Sequence, residues 1–216
     1  MALRSRLIAG ELAGLGGMVS LGVSADEVRG WLERWPGRLA LAAVNGPRSV
    51  VVSGEPQALE ELLAGCEADG VRARRVAVDY ASHSDQVGRI EEELGAVLAG
   101  VAPMPGRLPV YSTVTGALCA GEEMDAGYWY RNLRGTVRFQ SAIDALLEQR
   151  FGVFVEVSAH PVLVPSLVES IDEAGMDAVA LGTLRRGEGG QERMVASAAE
   201  AWVHGVEVDW ASLLPV

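Results

Sequence analysis

Val76-Ala-Val-Asp-Tyr-Ala-Ser-His83 is the stretch on which the reading of this chain turns. Its alternating apolar residues, followed by Asp79 and Tyr80, predict a buried strand that leaves its sheet through a tight polar exit, with a helix directly after His83. A strand end fixes the backbone while leaving a side chain open to a cleft, which is where a catalytic base is usually held. Only three histidines occur, at positions 83, 160 and 204, so few imidazoles compete for that role. Taken alone, a histidine after a strand is more often solvated or packed; its surroundings decide.

Upstream, residues 17–79 spell one unit. A short apolar strand over 18–23 is followed by Ser24-Ala-Asp-Glu27, a capping box ahead of Val28, Trp31, Leu32 and Trp35 at helical spacing. Pro36-Gly37 stops that helix, 39–44 is a second strand, and Asn45-Gly-Pro-Arg48 turns the chain into a third at 49–53. Pro56 opens a second helix with Leu59, Leu62, Leu63 and Cys66 on its buried stripe, and 71–78 is the last strand. The order β-α-β-β-α-β predicts a ferredoxin-like unit that ends where His83 begins, a scaffold without a function of its own.

Downstream, helix and strand alternate. Val87, Ile90, Leu94 and Leu98 mark a helix, 110–114 a buried strand, Phe139, Ile143 and Leu147 a helix, 153–157 a strand, Leu167, Val168 and Ile171 a helix, and 179–183 a strand. Such alternation predicts a mainly parallel sheet covered on both faces. After a charged, Gly-rich linker from Arg185, residues 191–216 carry one amphipathic helix with too little apolar surface to fold alone. The fold class is therefore α/β, a ferredoxin-like subdomain followed by a mainly parallel sheet.

Eighteen basic against 29 acidic residues give a net charge of −11, which argues against nucleic acid or an anionic membrane as partner. Cys66 and Cys119 have neither metal-ligand nor disulfide spacing, and no apolar run reaches about 20 residues, so a cytoplasmic setting is expected. Leu3, Leu7 and Ile8 follow helical spacing with no cap before them, as if the chain starts within an element.

Three motifs in order carry a resemblance: Tyr80-Ala-Ser-His83, Tyr128-Trp-Tyr-Arg-Asn-Leu-Arg134 with Val137-Arg-Phe139, and Glu156-Val-Ser-Ala-His-Pro-Val-Leu163. Together they resemble the acyltransferase domain of modular type I polyketide synthases of actinobacterial style, over most of the chain. The closing segment is similar to the linker that follows that domain, and the fold the resemblance implies is an incomplete α/β-hydrolase-like parallel sheet with the ferredoxin-like subdomain inserted in it. The resemblance implies a division into 1–16, a remnant helix of the hydrolase-like subdomain; 17–79, the small subdomain; 80–184, the remainder of the large one; and 185–216, the linker.

By that resemblance His83 is the general base of a Ser-His pair that loads an extender unit from methylmalonyl-CoA, or malonyl-CoA, onto the phosphopantetheine of an acyl carrier protein, with no permanently bound cofactor. A histidine suits the task because one group must take and return a proton near neutral pH. Arg4 matches the family arginine that grips the extender carboxylate, for which a bidentate guanidinium is apt; read alone, it is a solvated helix residue. Asn132 matches a polar residue supporting the site, and by local sequence reads equally as a helix cap before Thr136. Tyr80 and Ser82 bear on substrate choice: the Tyr-Ala-Ser-His version accompanies methylmalonyl units, His-Ala-Phe-His malonyl, and a small Ser82 in place of Phe leaves room for an α-methyl. One methyl discriminates by only ~1–3 kcal/mol. His160 reads as structural, satisfying backbone groups in a strand-to-helix turn, and the aromatic cluster at 128–130 as packing.

The family nucleophile lies in a Gly-His-Ser-x-Gly elbow upstream of the matching arginine, and no Gly-x-Ser-x-Gly occurs in these 216 residues. The chain alone is therefore expected not to turn over, and its expected partners are the upstream acyltransferase segment and ketosynthase of the same synthase besides the carrier protein. The rival expectation is a non-catalytic docking module for a ketosynthase or carrier protein, with Arg72, Arg74 and Arg75 as the landing patch.

Overall fold

The computed structural model describes residues 2–213; Met1 and residues 214–216, at the two ends of the predicted division, lie outside the described residues. The chain forms two compact units, Met1–Ala142 and Ile143–Val216.

In the first unit, α1 (Ala2–Glu11) leads to β1 (Gly17–Leu21), α2 (Ala25–Leu32), β2 (Leu39–Gly46), β3 (Ser49–Gly54), α3 (Pro56–Ala68) and β4 (Ala73–Arg75). The predicted capping box is complete: the Glu27 N–H donates to Ser24 Oγ, and the Glu27 carboxylate accepts from the Ser24 N–H at 3.0 Å. The four strands lie in the order β4-β1-β3-β2, every neighbour antiparallel, which is the ferredoxin-like arrangement. Val19, Val50 and Val52 are fully buried with Leu59 and Leu62 of α3 and Val28 of α2, and Trp31 and Trp35 pack on that cluster. Each such aliphatic side chain contributes roughly 1.5–3 kcal/mol of burial energy.

The last strand differs from the expectation. β4 covers three residues rather than 71–78, and Val76 and Val78 are 37% and 38% exposed instead of buried. β4 sits at the sheet edge and pairs only with β1, over Val19–Leu21. One further bond, from the Val76 N–H to the Met18 carbonyl at 2.9 Å, ends the pairing. Beyond it the backbone turns, with the Val78 N–H on the Val76 carbonyl and the Asp79 carbonyl accepting from the Gly14 N–H.

After His83 the chain makes a 3₁₀ turn (Asp85–Ile90) before α4 (Glu91–Leu98). Val87, Ile90 and Leu94 close a second cluster with Leu12 and Leu133, against which Leu7, Ile8, Tyr80 and Tyr130 pack. The predicted buried strand at 110–114 is instead half of a small antiparallel hairpin, β5 (Val110–Ser112) with β6 (Ala117–Cys119), and Val110 is 41% exposed. Gly116, at φ 74, lets the chain reverse there, its N–H donating to the Ser112 carbonyl at 2.7 Å. The hairpin is tied to α5 (Ala126–Arg134) by a buried hydrogen bond between Ser112 Oγ and the Tyr128 hydroxyl. Asp125 caps α5 by accepting the Tyr128 N–H, and β7 (Val137–Arg138) then joins the sheet parallel to β2.

The unit boundary falls inside α6 (Phe139–Glu148). The second unit contains β8 (Val153–Glu156), α7 (Val164–Ala174), β9 (Val179–Gly182), α8 (Gln191–Val203) and the short α9 (Trp210–Leu213). β8 and β9 form a parallel pair, the α/β crossover that the alternation predicts, although Val155 is 47% exposed rather than covered. α8 packs through Ser197 and Ala201, and the Ser197 hydroxyl donates to the Thr183 carbonyl just past β9.

Candidate active site

The site is built on a bend. Ala81 is buried against Gly16, where an added Cβ would stand 2.7 Å from Ala81 Cβ and 2.8 Å from its nitrogen, so only glycine permits that approach. Ser84 closes the bend, its hydroxyl donating to the Ala81 carbonyl and accepting the Gln86 N–H to cap the 3₁₀ turn. Between them His83 has φ 58, in the left-handed region that residues with a Cβ seldom adopt.

The end of α5 holds this conformation. The His83 N–H donates to the Leu133 carbonyl at 2.9 Å, and His83 Nδ1 lies 2.8 Å from the Gly135 carbonyl oxygen. A carbonyl can only accept, so in the neutral ring Nδ1 carries the proton and Nε2 keeps its lone pair. Burial pushes the imidazole below its ordinary pKa; the Gly135 carbonyl works in the opposite direction, and the Arg4 guanidinium again favours the neutral form. The ring at neutral pH is therefore an unprotonated base with a fixed tautomer, half-buried at the end of a turn.

The structure brings Arg4 into electrostatic reach of His83, on the half-buried side of α1. Among the described residues Arg4 has no carboxylate partner. A cation in that state can take an anion from outside the chain. Tyr80 is half-buried and packs on the Leu12, Ile90 and Leu133 cluster. Ser82 is 6% exposed and its hydroxyl lies 3.3 Å from Met18 Sδ, so any room it leaves is shared with that flexible thioether. Asn132 lies half-buried inside α5 instead of capping a helix at Thr136; Thr136 Oγ1 donates to the Leu41 carbonyl.

The third motif has a different purpose. Glu156 accepts hydrogen bonds from the Val162, Leu163 and Val164 N–H groups and from the Ser158 hydroxyl, at 2.8–3.0 Å, and so closes the entry to α7. Exposed His160 accepts the Arg186 N–H at Nδ1, in keeping with a structural reading. Sequence reasoning missed the Leu133 and Gly135 carbonyls, because a backbone acceptor leaves no mark in residue type. Arg75 is engaged by Glu60, while Arg72 and Arg74 are exposed.

Residues 1–208 match the family described as the acyl transferase domain. Over 97% of its length the chain is 56% identical to NorA′, a protein of the spectinabilin polyketide synthase system of Streptomyces orinoci, of which it spans 6%. Among solved structures, the acyltransferase domain from module 8 of the salinomycin polyketide synthase superposes with a TM-score of 0.95 at 56% identity, covering 97% of this chain and 49% of that one. The acyl transferase domain of SpnD, solved in complex with 2-(pent-4-yn-1-yl)malonyl, superposes with a TM-score of 0.82 at 30% identity, over 99% of this chain and 50% of that one. The chain thus spans about half the length of the solved domains it resembles and a small part of the synthase protein.

Proposed function

The chain belongs to the acyl transferase domain family, and on that premise we propose that it is part of a methylmalonyl-CoA:acyl-carrier-protein transacylase that selects and loads extender units in polyketide biosynthesis. One observation carries the reading: His83 presents Nε2 unprotonated, because Nδ1 is turned to the Gly135 carbonyl, with the Arg4 charge felt at the same ring. A malonyl-type group in the SpnD structure is consistent with a carboxylate-bearing acyl substrate.

In this mechanism the Arg4 guanidinium holds the free carboxylate of the extender. His83 Nε2 takes the proton of a serine hydroxyl as its oxygen attacks the thioester carbonyl. The tetrahedral intermediate expels the CoA thiolate, which receives that proton from the imidazolium and leaves as the thiol. His83 then deprotonates the phosphopantetheine thiol of a carrier protein, the sulfur attacks the acyl-serine ester, and the proton returns to the serine oxygen. Arg4 depresses the basicity of His83 while its charge is unanswered, so a carboxylate bound there also restores strength to the base. The serine is supplied from outside these 216 residues, which contain no Gly-x-Ser-x-Gly.

Within this proposal, residues 1–16 and 80–184 contribute to the catalytic subdomain, 17–79 to the inserted one and 185–216 to the linker toward a ketosynthase. Asn132 and Tyr80 support the substrate side of the site. Two buried cysteines that form no disulfide, and the absence among the described residues of any helix long and apolar enough to cross a membrane, support cytoplasmic work. The docking-module alternative is weaker, because the groove beside Arg72 is also lined by Glu60 and Glu67, and Arg75 is already paired.

The test is reconstitution. Joined to a segment bearing a Gly-x-Ser-x-Gly elbow, the chain transfers methylmalonyl from CoA to a carrier protein, read by intact mass, and His83→Ala lowers the rate by about 10²–10⁴. The 216 residues alone form no acyl adduct. Transfer that survives His83→Ala, or a stable acyl-serine on the chain alone, overturns the reading.

A further inference from the structure

His83 is gripped by three consecutive residues at the end of α5. Leu133 takes its backbone N–H, Gly135 takes its ring, and the Arg134 guanidinium between them pairs with the carboxylate of Asp85, two residues past the histidine. Helix C-termini leave carbonyls without intrahelical partners, and two of those from this end are used to hold the bend. A left-handed histidine persists only where its surroundings over-determine it. Ala81 packed on Gly16 and Val87 in the core fix the two sides of the bend, and the Arg134–Asp85 pair is the side-chain tie from α5 to the segment directly after His83, whose own two bonds turn with the same residue.

One turn back on α5, Tyr130 lies within electrostatic reach of Glu91, in the first turn of α4, and of Arg134. Polar groups of α4 and α5 thus gather beside the base, and the Arg134–Asp85 pair joins α5 to the 3₁₀ turn. The pair is partly open, with side-chain exposures of 36% for Arg134 and 74% for Asp85, so its contribution to global stability is small and screened by salt. Its leverage is geometric, because a small misplacement of a reacting group is costly in rate.

We propose that Arg134 and Asp85 are positioning residues for the His83 imidazole: their pairing clamps the bend onto the end of α5, keeps the bond from Nδ1 to the Gly135 carbonyl closed, and so fixes where Nε2 stands. The consequence for rate rests on His83 being the base; the geometric claim does not. In the 216-residue chain labelled with ¹⁵N-histidine, the His83 ring shifts report one neutral tautomer, Nδ1–H. Arg134→Gln and Asp85→Asn each shift the ring toward a mixture of tautomers, and the reversed pair Arg134→Asp with Asp85→Arg restores it, with far-UV circular dichroism unchanged throughout. In the reconstituted transferase each single variant lowers kcat about tenfold with KM for the acyl-CoA unchanged, and added salt lowers the kcat of the parent but not of the variants. Ring shifts indifferent to both single variants overturn the proposal, as does a reversed pair that fails to restore them. A ring that responds while kcat does not upholds the clamp and removes His83 from the chemistry.

Discussion

Glu156→Gln tests the motif that closes the entry to α7, apart from the one proposed to carry the chemistry. Glu156 Oε1 accepts from the Val162 N–H at 2.9 Å and the Ser158 hydroxyl at 3.0 Å, and Oε2 accepts from the Leu163 and Val164 N–H groups at 2.8 and 3.0 Å. Glutamine keeps the shape but turns an NH₂ toward one of these pairs; toward the first, the Ser158 hydroxyl can accept from it and donate to the His160 carbonyl, so the Val162 N–H loses its acceptor and the remaining bonds lose their charge. Hydrogen bonds to a charged group contribute roughly 1.5–3 kcal/mol each. Water reaches this half-buried position and replaces part of the loss, so we expect a destabilisation of about 2–3 kcal/mol. Urea unfolding at pH 7, followed by circular dichroism, reads it as a lower midpoint at unchanged slope. Burial alone would raise the Glu156 pKa; the three backbone donors and the Ser158 hydroxyl outweigh it and hold the carboxyl below its ordinary value. A depressed carboxylate contributes stability that is fully present above its unfolded pKa, near about 4.3, and that is lost as pH falls through the folded one. The gap between parent and variant therefore closes in acid. A loss under about 0.5 kcal/mol at pH 7, or a gap that widens in acid, refutes the argument.

Gly16→Ala places a Cβ against the backbone of Ala81, which cannot yield as a flexible side chain would, and overpacking of this kind costs about 1–3 kcal/mol; a melting curve reads the drop, and an unchanged melting temperature contradicts the packing. Ser82→Phe has to displace Met18 and is expected to turn selectivity from methylmalonyl toward malonyl by about 10- to 200-fold in the kcat/KM ratio, with Met18→Ala in the same background returning part of it; competition between the two CoA esters measures this. The acid limb of kcat/KM in the reconstituted transferase falls below the ordinary histidine pKa of about 6.5, because burial and Arg4 both favour the neutral ring. The same depression makes His83 contribute stability above its unfolded pKa that is lost as pH falls through the folded one, and Arg4→Ala moves the limb toward higher pH. A limb unmoved by Arg4→Ala separates the two groups.

Local chemistry was written plainly in the residues. The capping box at Ser24, Pro56 at the start of α3, the buried stripe of Leu59, Leu62 and Cys66, and the β-α-β-β-α-β order all depend on neighbours within a few positions, where period and turn chemistry act. His83 was legible as a candidate because only three imidazoles occur in the chain, and Arg4, one of many arginines, only because its position matches that of the family arginine. Tertiary structure alone decided the rest. Val76 is left 37% exposed although its N–H still bonds the Met18 carbonyl, because it lies at the free edge of the sheet, and Val110 joined a hairpin because the chain reverses at Gly116. Above all, the partner of the His83 ring is a backbone carbonyl 52 positions away, and every residue carries such a carbonyl. Residue type encodes what a side chain can do; which acceptor it meets is settled only when helix α5 ends beside the bend.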